Sequence, residues 1–271
     1  MKATKMILTM DGLVPEMDYV ETTLEDTPTV YEVIRIIDGV ALFLEDHHRR
    51  LLNSISIQGL EFRMSFPEFK QHIAMLVSTN NQTEGNVKFI CWEFEEKINW
   101  SFRFILHSYP SADDYNNGVV TDLLFAERTN PNAKVVQQTV RNEANCLIGE
   151  KGLYEVLLVD RNGLITEGSR SNVFFIRDGV FYTAPASMVL VGVTRQKVLE
   201  CLAKLYLEVV EQAVASSKIG SFDAAIITGT SPRVLPIRTI GNQAFDVGNP
   251  SVLKLMEGYN QLLSDYILKK A

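Results

Sequence analysis

A β-branched run that stops at Asp-Gly and then resumes leaves a chain little choice of local structure. Residues 30–44, VYEVIRIIDGVALFL, hold that pattern: a half-alternating apolar run, the pair Asp38-Gly39, and a second apolar run. Asp-Gly tolerates positive φ at both central positions, so the two runs are predicted to close as a β-hairpin. EDHHRRLLNSISIQG follows at 45–59, with Leu51, Ile55 and Leu60 near helical spacing, acids at its start and Gly59 near its end, which predicts a helix. A second helix is read over 66–79, opening near Pro67. Two strand-like runs come next, NVKFICWEFE and WSFRFILHSY, separated by the charged EKIN.

The stretch PSADDYNNG, 110–118, concentrates turn formers without an apolar period and reads as a junction. It divides the chain into a small N-terminal α+β domain over 1–110, a linker over 111–118 and a larger domain over 119–271. Within the larger domain strands are predicted at 119–125, 154–159, 172–176, 180–183, 224–228 and 233–237, and helices at 137–150, 194–206 and 251–269. No internal repeat or low-complexity tract interrupts them.

Charge and cysteine usage narrow the partners. With 26 basic and 33 acidic residues the formal charge is −7, and no basic cluster follows a phosphate backbone, so nucleic acid is not expected. Cys91, Cys146 and Cys201 lie far apart and form neither a disulfide framework nor a metal-type doublet; free, mostly buried thiols, no metal and a reducing compartment are expected. The apolar stretch before Asp11 is too short for a secretory core and no run reaches membrane-spanning length, so a cytoplasmic protein without membrane contact is expected.

Several separated places carry candidate chemistry. In GLITEGSRSNVFFIRDG, 163–179, an acid, Glu167, stands among Gly168, Ser169 and Ser171 between two strand-like runs, and small residues there let backbone approach a ligand or simply make a turn. LVGVTRQKVLECLAKL sets Gly192 and Thr194 before an amphipathic helix, whose start is an anion site or whose Thr194 is a plain N-cap. AAIITGTSPRVLPI runs a buried strand into Gly229, Thr230 and Ser231, a turn whose amides and hydroxyls can cradle a phosphate. His47, Arg50 and Ser54 share one face of the first helix, with Arg49 as the solvated neighbour. Lys134, in ERTNPNAKVVQQTV, enters an apolar run from an irregular segment; it is a surface lysine or, desolvated beside a cofactor, an amine able to form a Schiff base.

In this order and spacing, the pieces VYEVIRIIDG, EDHHRRLLNS, NAKVV, LITEGSRSNVF, LVGVTR and TGTSPRVLPI resemble the class IV aminotransferases. These are fold-type IV pyridoxal 5′-phosphate enzymes, a group that includes branched-chain and D-amino-acid aminotransferases and 4-amino-4-deoxychorismate lyases. The resemblance implies a two-domain α+β fold, with a small N-terminal α/β domain and a larger C-terminal mixed, β-barrel-like domain surrounded by helices. It also implies a homodimer and transfer of an amino group between an amino acid, of branched-chain or D type, and a 2-oxo acid. The lyase reaction, releasing pyruvate and 4-aminobenzoate, is the alternative, and a non-catalytic pyridoxal-phosphate-binding protein a further one. By the same resemblance Lys134 is the catalytic lysine that carries the cofactor, and Glu167 the carboxylate that keeps the pyridine nitrogen protonated. Arg50, with Val193, Thr194, Thr230 and Ser231, matches the phosphate-binding set. Tyr31 matches a substrate-side tyrosine, and Asn172 a positioning asparagine.

The chain departs from the family pattern at EDTPT, 25–29, where a glycine-rich run is usual, and at Thr139, where branched-chain enzymes have a tyrosine. The residue that meets the substrate carboxylate stays open among Arg170, His107, Lys88, Arg103 and Arg233; Arg170 and His107 are taken with Tyr31 as the substrate-side set.

Overall fold

The computed structural model describes residues 5–20, 29–136 and 138–270. It forms two compact units: Met1–Ser108 with Ala133–Val136 and Leu263–Ala271, and Tyr109–Asn132 with Gln137–Leu262. Most of EDTPT, residues 25–28, lies outside the described residues, as does the first position of the helix read over 137–150.

In the first unit strands β1 (Met6–Thr9), β2 (Gly12–Pro15), β3 (Thr29–Ile37), β4 (Val40–Ala41), β5 (Gly85–Phe94) and β6 (Lys97–Ile105) form one sheet in the order β2-β1-β6-β5-β3-β4. The Asp-Gly hairpin is present, with Asp38 at φ 51° and Gly39 at φ 77°. Its second strand is only two residues long, because Phe43 turns at φ 50° into helix α1 (Leu44–Gln58). Helix α1 ends at Gly59, φ 67°, whose N–H donates to Ile55 O and Ser56 O, the left-handed cap that glycine makes without steric cost. Helix α2 (Phe66–Asn80) starts on a capping box in which Ser65 Oγ accepts the Glu68 N–H and the Glu68 carboxylate accepts the Ser65 N–H.

One face of this sheet is apolar and carries the two helices. Val30, Ile34, Ile36, Val87, Phe89, Cys91, Phe102 and Phe104 pack with Leu51 and Ile55 of α1 and Phe69, Ile73 and Leu76 of α2. The rings of Phe69, Phe89 and Phe102 meet at 4.7–5.5 Å, in tilted and edge-on contacts that aromatic quadrupoles favour. The charged EKIN is not the loop between β5 and β6. The turn is Glu95-Glu96, at φ 50° and 61°, and Phe94 pairs with Lys97. Nine cross-strand pairs from Asn86–Ile105 to Phe94–Lys97 outweigh the local preference of charged residues for a loop.

The second unit begins with a short helix, α3 (Ala112–Asn117), in the stretch read as a linker; it stands on a Ser111–Asp114 capping box and stops at Gly118, φ 69°. Strands β7 (Val119–Phe125), β8 (Glu155–Val159), β9 (Leu164–Gly168), β10 (Asn172–Arg177), β11 (Val180–Thr183), β12 (Val209–Glu211), β13 (Val214–Ala215), β14 (Ala224–Gly229) and β15 (Arg233–Ile240) follow the sheet order β12-β11-β10-β14-β15-β7-β8-β9-β13, and β16 (Gln243–Ala244) pairs with β15. Helix α4 (Gln138–Lys151) joins the parallel pair β7 and β8, and α5 (Val193–Lys204) joins the parallel pair β11 and β12. Parallel neighbours need such crossovers, whereas β14 and β15 meet through a tight turn. The run Asn172–Ile176 is buried throughout, as expected of a strand covered on both faces. Helix α6 (Pro250–Lys270) closes the chain, with Val252, Leu255 and Tyr259 on one buried stripe; its last turns, from Leu263, belong to the first unit. Among the described residues no helix is long and apolar enough to cross a membrane. Of the three free thiols Cys91 and Cys201 are buried and Cys146 is exposed.

Candidate active site

In the first unit the candidate residues gather around the start of β3. Residues 133–136 lie beside that strand: Tyr31 N–H donates to Lys134 O at 3.1 Å, Val136 N–H donates to Thr29 O at 3.1 Å, and Val30 bridges Val135. The N–H of Lys134 itself donates to Ser54 Oγ of α1 at 3.1 Å. Both peptide groups of Lys134 are thereby fixed. Its side chain is half-buried, with Nζ 4.6 Å from the centre of the Tyr31 ring, a cation–π distance.

Near Lys134, Glu32, Arg50 and His47 form a buried hydrogen-bonded triad that the sequence shows only in part. Glu32 occupies the inward parity of β3 among Val30, Ile34 and Ile36, with no exposed surface. Its Oε1 accepts from Arg50 Nε at 2.8 Å, and its Oε2 accepts from Arg50 Nη2 at 2.6 Å and lies 2.8 Å from His47 Nδ1. Burial opposes the charge on Glu32, but the charge and hydrogen bonds of Arg50, with those of His47, outweigh it and hold the carboxyl at about 2. The His47 imidazole is pushed below its usual value, first by burial and further by the charges of Arg50 and Lys134, against the pull of Glu32. His47, Arg50 and Ser54 do share one helix face, and a charged residue at an inward strand position was the one available signal for Glu32.

In the second unit Glu167 is the centre. It is the fourth residue of β9 and not part of the irregular connection, which is only Ser169–Ser171. Alternation along β9 turns Glu167 inward, nearly fully buried. Its Oε1 accepts from Arg128 Nη1 at 3.2 Å and its Oε2 accepts the Leu190 N–H at 3.1 Å. Leu190 is held from its other side by Asn172, whose Nδ2 donates to Leu190 O at 3.0 Å. The small loop after Glu167 is fastened to a second buried acid, Glu155, which accepts from Ser169 Oγ at 2.6 Å, Ser171 Oγ at 2.9 Å and Arg170 N–H at 3.0 Å. A side chain on Gly168 would sit 2.1 Å from Ser171 Oγ, so that loop closes only over glycine.

Thr194 is not the N-cap of the following helix. The cap position is Gly192, without a side-chain cap hydrogen bond, and Val193 and Thr194 are the first two helical residues, both buried. Their amides belong to the end of a helix that has no internal partner for them. A Cβ on Gly192 would lie 2.2 Å from Asn172 Oδ1, so glycine lets this helix start approach β10 without displacing the Asn172 side chain. Thr230 and Ser231 are half-buried in the β14–β15 turn, and Arg233 follows them at φ 56°. Thr228, opposite Asn172 in the sheet, has a buried Oγ1 with no hydrogen-bond partner among the described residues.

Arg170 is exposed and donates to Asn145 on α4; His107 is exposed just after β6, with Nδ1 3.3 Å from Ile105 O. Lys88 and Arg103 are half-buried cross-strand partners on β5 and β6. Arg128, Glu32, Glu155 and Leu190 were not singled out by the sequence.

Residues 29–240 match the model of the family described as amino-transferase class IV. The chain is 28% identical over 248 residues to the D-alanine aminotransferase of Bacillus licheniformis, covering 83% of each chain. It is 25% identical over 261 residues to the branched-chain-amino-acid aminotransferase of Pseudomonas aeruginosa, covering 87% of this chain and 84% of that one. A crystal structure of the branched-chain aminotransferase from Thermoproteus uzoniensis superposes with a TM-score of 0.86 at 22% identity, over 97% of this chain and 96% of that one. The chain belongs to the class IV aminotransferase family, with its α+β, fold-type IV architecture. Enzymes of this family use pyridoxal 5′-phosphate. Each unit holds groups of the kinds that cofactor needs: an amine and a guanidinium in the first, and a buried carboxylate and helix-start amides without a side-chain cap in the second. The cradle that a Cβ on Gly192 would fill, and the orphan Thr228 hydroxyl, point the same way.

Proposed function

We propose that this enzyme moves an amino group between an amino acid of branched-chain or D type and a 2-oxo acid, in two half-reactions, with Lys134 as the catalytic residue. The observation that carries the reading is the fixed peptide of Lys134 beneath a side chain held over Tyr31. Pyridoxal phosphate, when bound, supplies the aldehyde that takes the amine and the ring that accepts the electron pair of the substrate Cα. Lys134 Nζ would hold the cofactor and, once free, would carry the proton between the substrate Cα and the cofactor's C4′ as general base and acid. Glu167 keeps a proton on the ring nitrogen. Arg50, the amides of Val193 and Thr194, and Thr230 with Ser231 bind the phosphate. Tyr31 is assigned to the substrate side, with Arg170 and His107 as candidates for the substrate carboxylate. The relatives named as D-alanine and branched-chain aminotransferases support both donor types.

The test is glutamate formation from 2-oxoglutarate with a panel of L- and D-amino acids, run beside pyruvate release from 4-amino-4-deoxychorismate. Turnover with branched-chain or D-amino acids, lost in Lys134→Ala, is expected. Pyruvate release without transamination would establish the lyase reading instead, which the exposed Thr139 on α4 favours over a branched-chain enzyme. Unpaired cysteines support a reducing, cytoplasmic setting. A homodimer is taken from the family resemblance, and sedimentation of the purified protein tests it.

A further inference from the structure

We propose that Arg128 is a positioning residue that sets the charge and orientation of Glu167, and through it the grip on the cofactor's ring nitrogen. The proposal rests on the assignment of Glu167 to that nitrogen. The two oxygens of Glu167 are held by unlike donors from separate segments: Arg128 Nη1 on Oε1 and the Leu190 amide on Oε2. One donor on each oxygen fixes the carboxylate plane. Only one of the two is a charge. A carboxylate as buried as Glu167 needs a counter-charge to stay ionised, and a guanidinium is cationic at every working pH.

The segment bearing Arg128 is fastened on both sides of it. Glu127 accepts from Arg161 Nη2 at 2.5 Å and from Arg161 Nε at 2.9 Å. Asn132, with its amide nitrogen turned toward them, donates to Ala186 O at 2.8 Å and Val189 O at 3.1 Å. Val189 immediately precedes Leu190, so the loop that brings the guanidinium to Glu167 is tied to the loop that brings the amide. Such bracing is what orientation of a single carboxylate requires, and it would be superfluous for an arginine serving only as surface charge.

The experiment measures the Kd of pyridoxal phosphate and of its 1-deaza analogue, in which a ring carbon replaces the nitrogen. The proteins are wild type, Arg128→Gln, Arg128→Lys and Glu167→Gln, with circular dichroism of the cofactor-free forms as a folding control. Arg128→Gln should weaken pyridoxal phosphate about ten- to a hundred-fold, the scale of one charge-assisted hydrogen bond, and leave the deaza analogue within about three-fold. Arg128→Lys should recover most of the difference. Equal losses for both cofactors, or none, would overturn the role of Arg128. If Arg128→Gln does not fold, Arg128→Met takes its place under the same criterion. Glu167→Gln separates the two levels. If it discriminates between the cofactors and the Arg128 variants do not, this inference alone is wrong; if it does not discriminate, the assignment of Glu167 falls and the inference with it.

Discussion

Replacing Glu32 by glutamine removes a charge and almost no volume, at a position with no exposed surface. The amide would leave Arg50, its side chain 9% exposed, without a counter-charge and take one acceptor from the pair of bonds at 2.8 and 2.6 Å. Removing one partner of a buried pair costs about 3–5 kcal/mol. Titration gives a figure of the same size. A carboxyl held at about 2 in the folded chain against 4.5 when unfolded corresponds to about 3 kcal/mol. Because the folded value is the lower one, this contribution is complete above pH 4.5 and is lost as the pH falls toward 2. His47, also lowered, adds stability that is present above 6.5 and is lost below it. Urea unfolding at pH 8 should therefore show Glu32→Gln less stable by about 3–5 kcal/mol, and the deficit should narrow as both proteins are taken below pH 4.5. A deficit below about 1 kcal/mol at pH 8, or one independent of pH, would refute the reasoning, since it would mean that solvent or a rearranged Arg50 replaces the carboxylate at little cost.

Gly192→Ala places a Cβ 2.2 Å from Asn172 Oδ1 while the backbone, at φ −63°, tolerates alanine. Either the Asn172 side chain or the helix start must shift, so pyridoxal phosphate should bind about ten-fold more weakly in an equilibrium titration. Ser65→Ala removes the α2 capping box and should cost about 1 kcal/mol in urea unfolding without changing cofactor Kd. Phe89→Ala, at the centre of the ring cluster in the first unit, should cost about 3–5 kcal/mol in the same assay.

The elements with strong local signals were legible. Asp38-Gly39, the acids and Gly59 around α1, and Pro67 at α2 each carry a local reason for their conformation, and the structure uses each. Glu95-Glu96 shows the limit. Nothing local favours positive φ at two glutamates, and the turn is imposed by the long pairing of β5 with β6. The short strands β12, β13 and β16 are likewise made by their neighbours, since two or three residues carry no readable period. At the candidate site Lys134, Glu167 and Arg50 were singled out through the family resemblance, since each taken alone also reads as an ordinary surface or turn residue. Their supports were not: Arg128 lies 39 residues from Glu167, Leu190 contributes only a backbone amide, and Glu155 reaches its serines from 14 and 16 residues away. Such contacts depend on tertiary pairing, to which a single sequence gives no period.

One amine, Lys134 Nζ, is decisive. Incubation with pyridoxal phosphate, reduction with borohydride and peptide mapping should place the cofactor on the peptide containing Lys134, at a stoichiometry of about one per chain, and Lys134→Ala should abolish both the label and amino transfer while leaving the fold intact. A label on any other lysine, or amino transfer that survives in Lys134→Ala, would contradict the account.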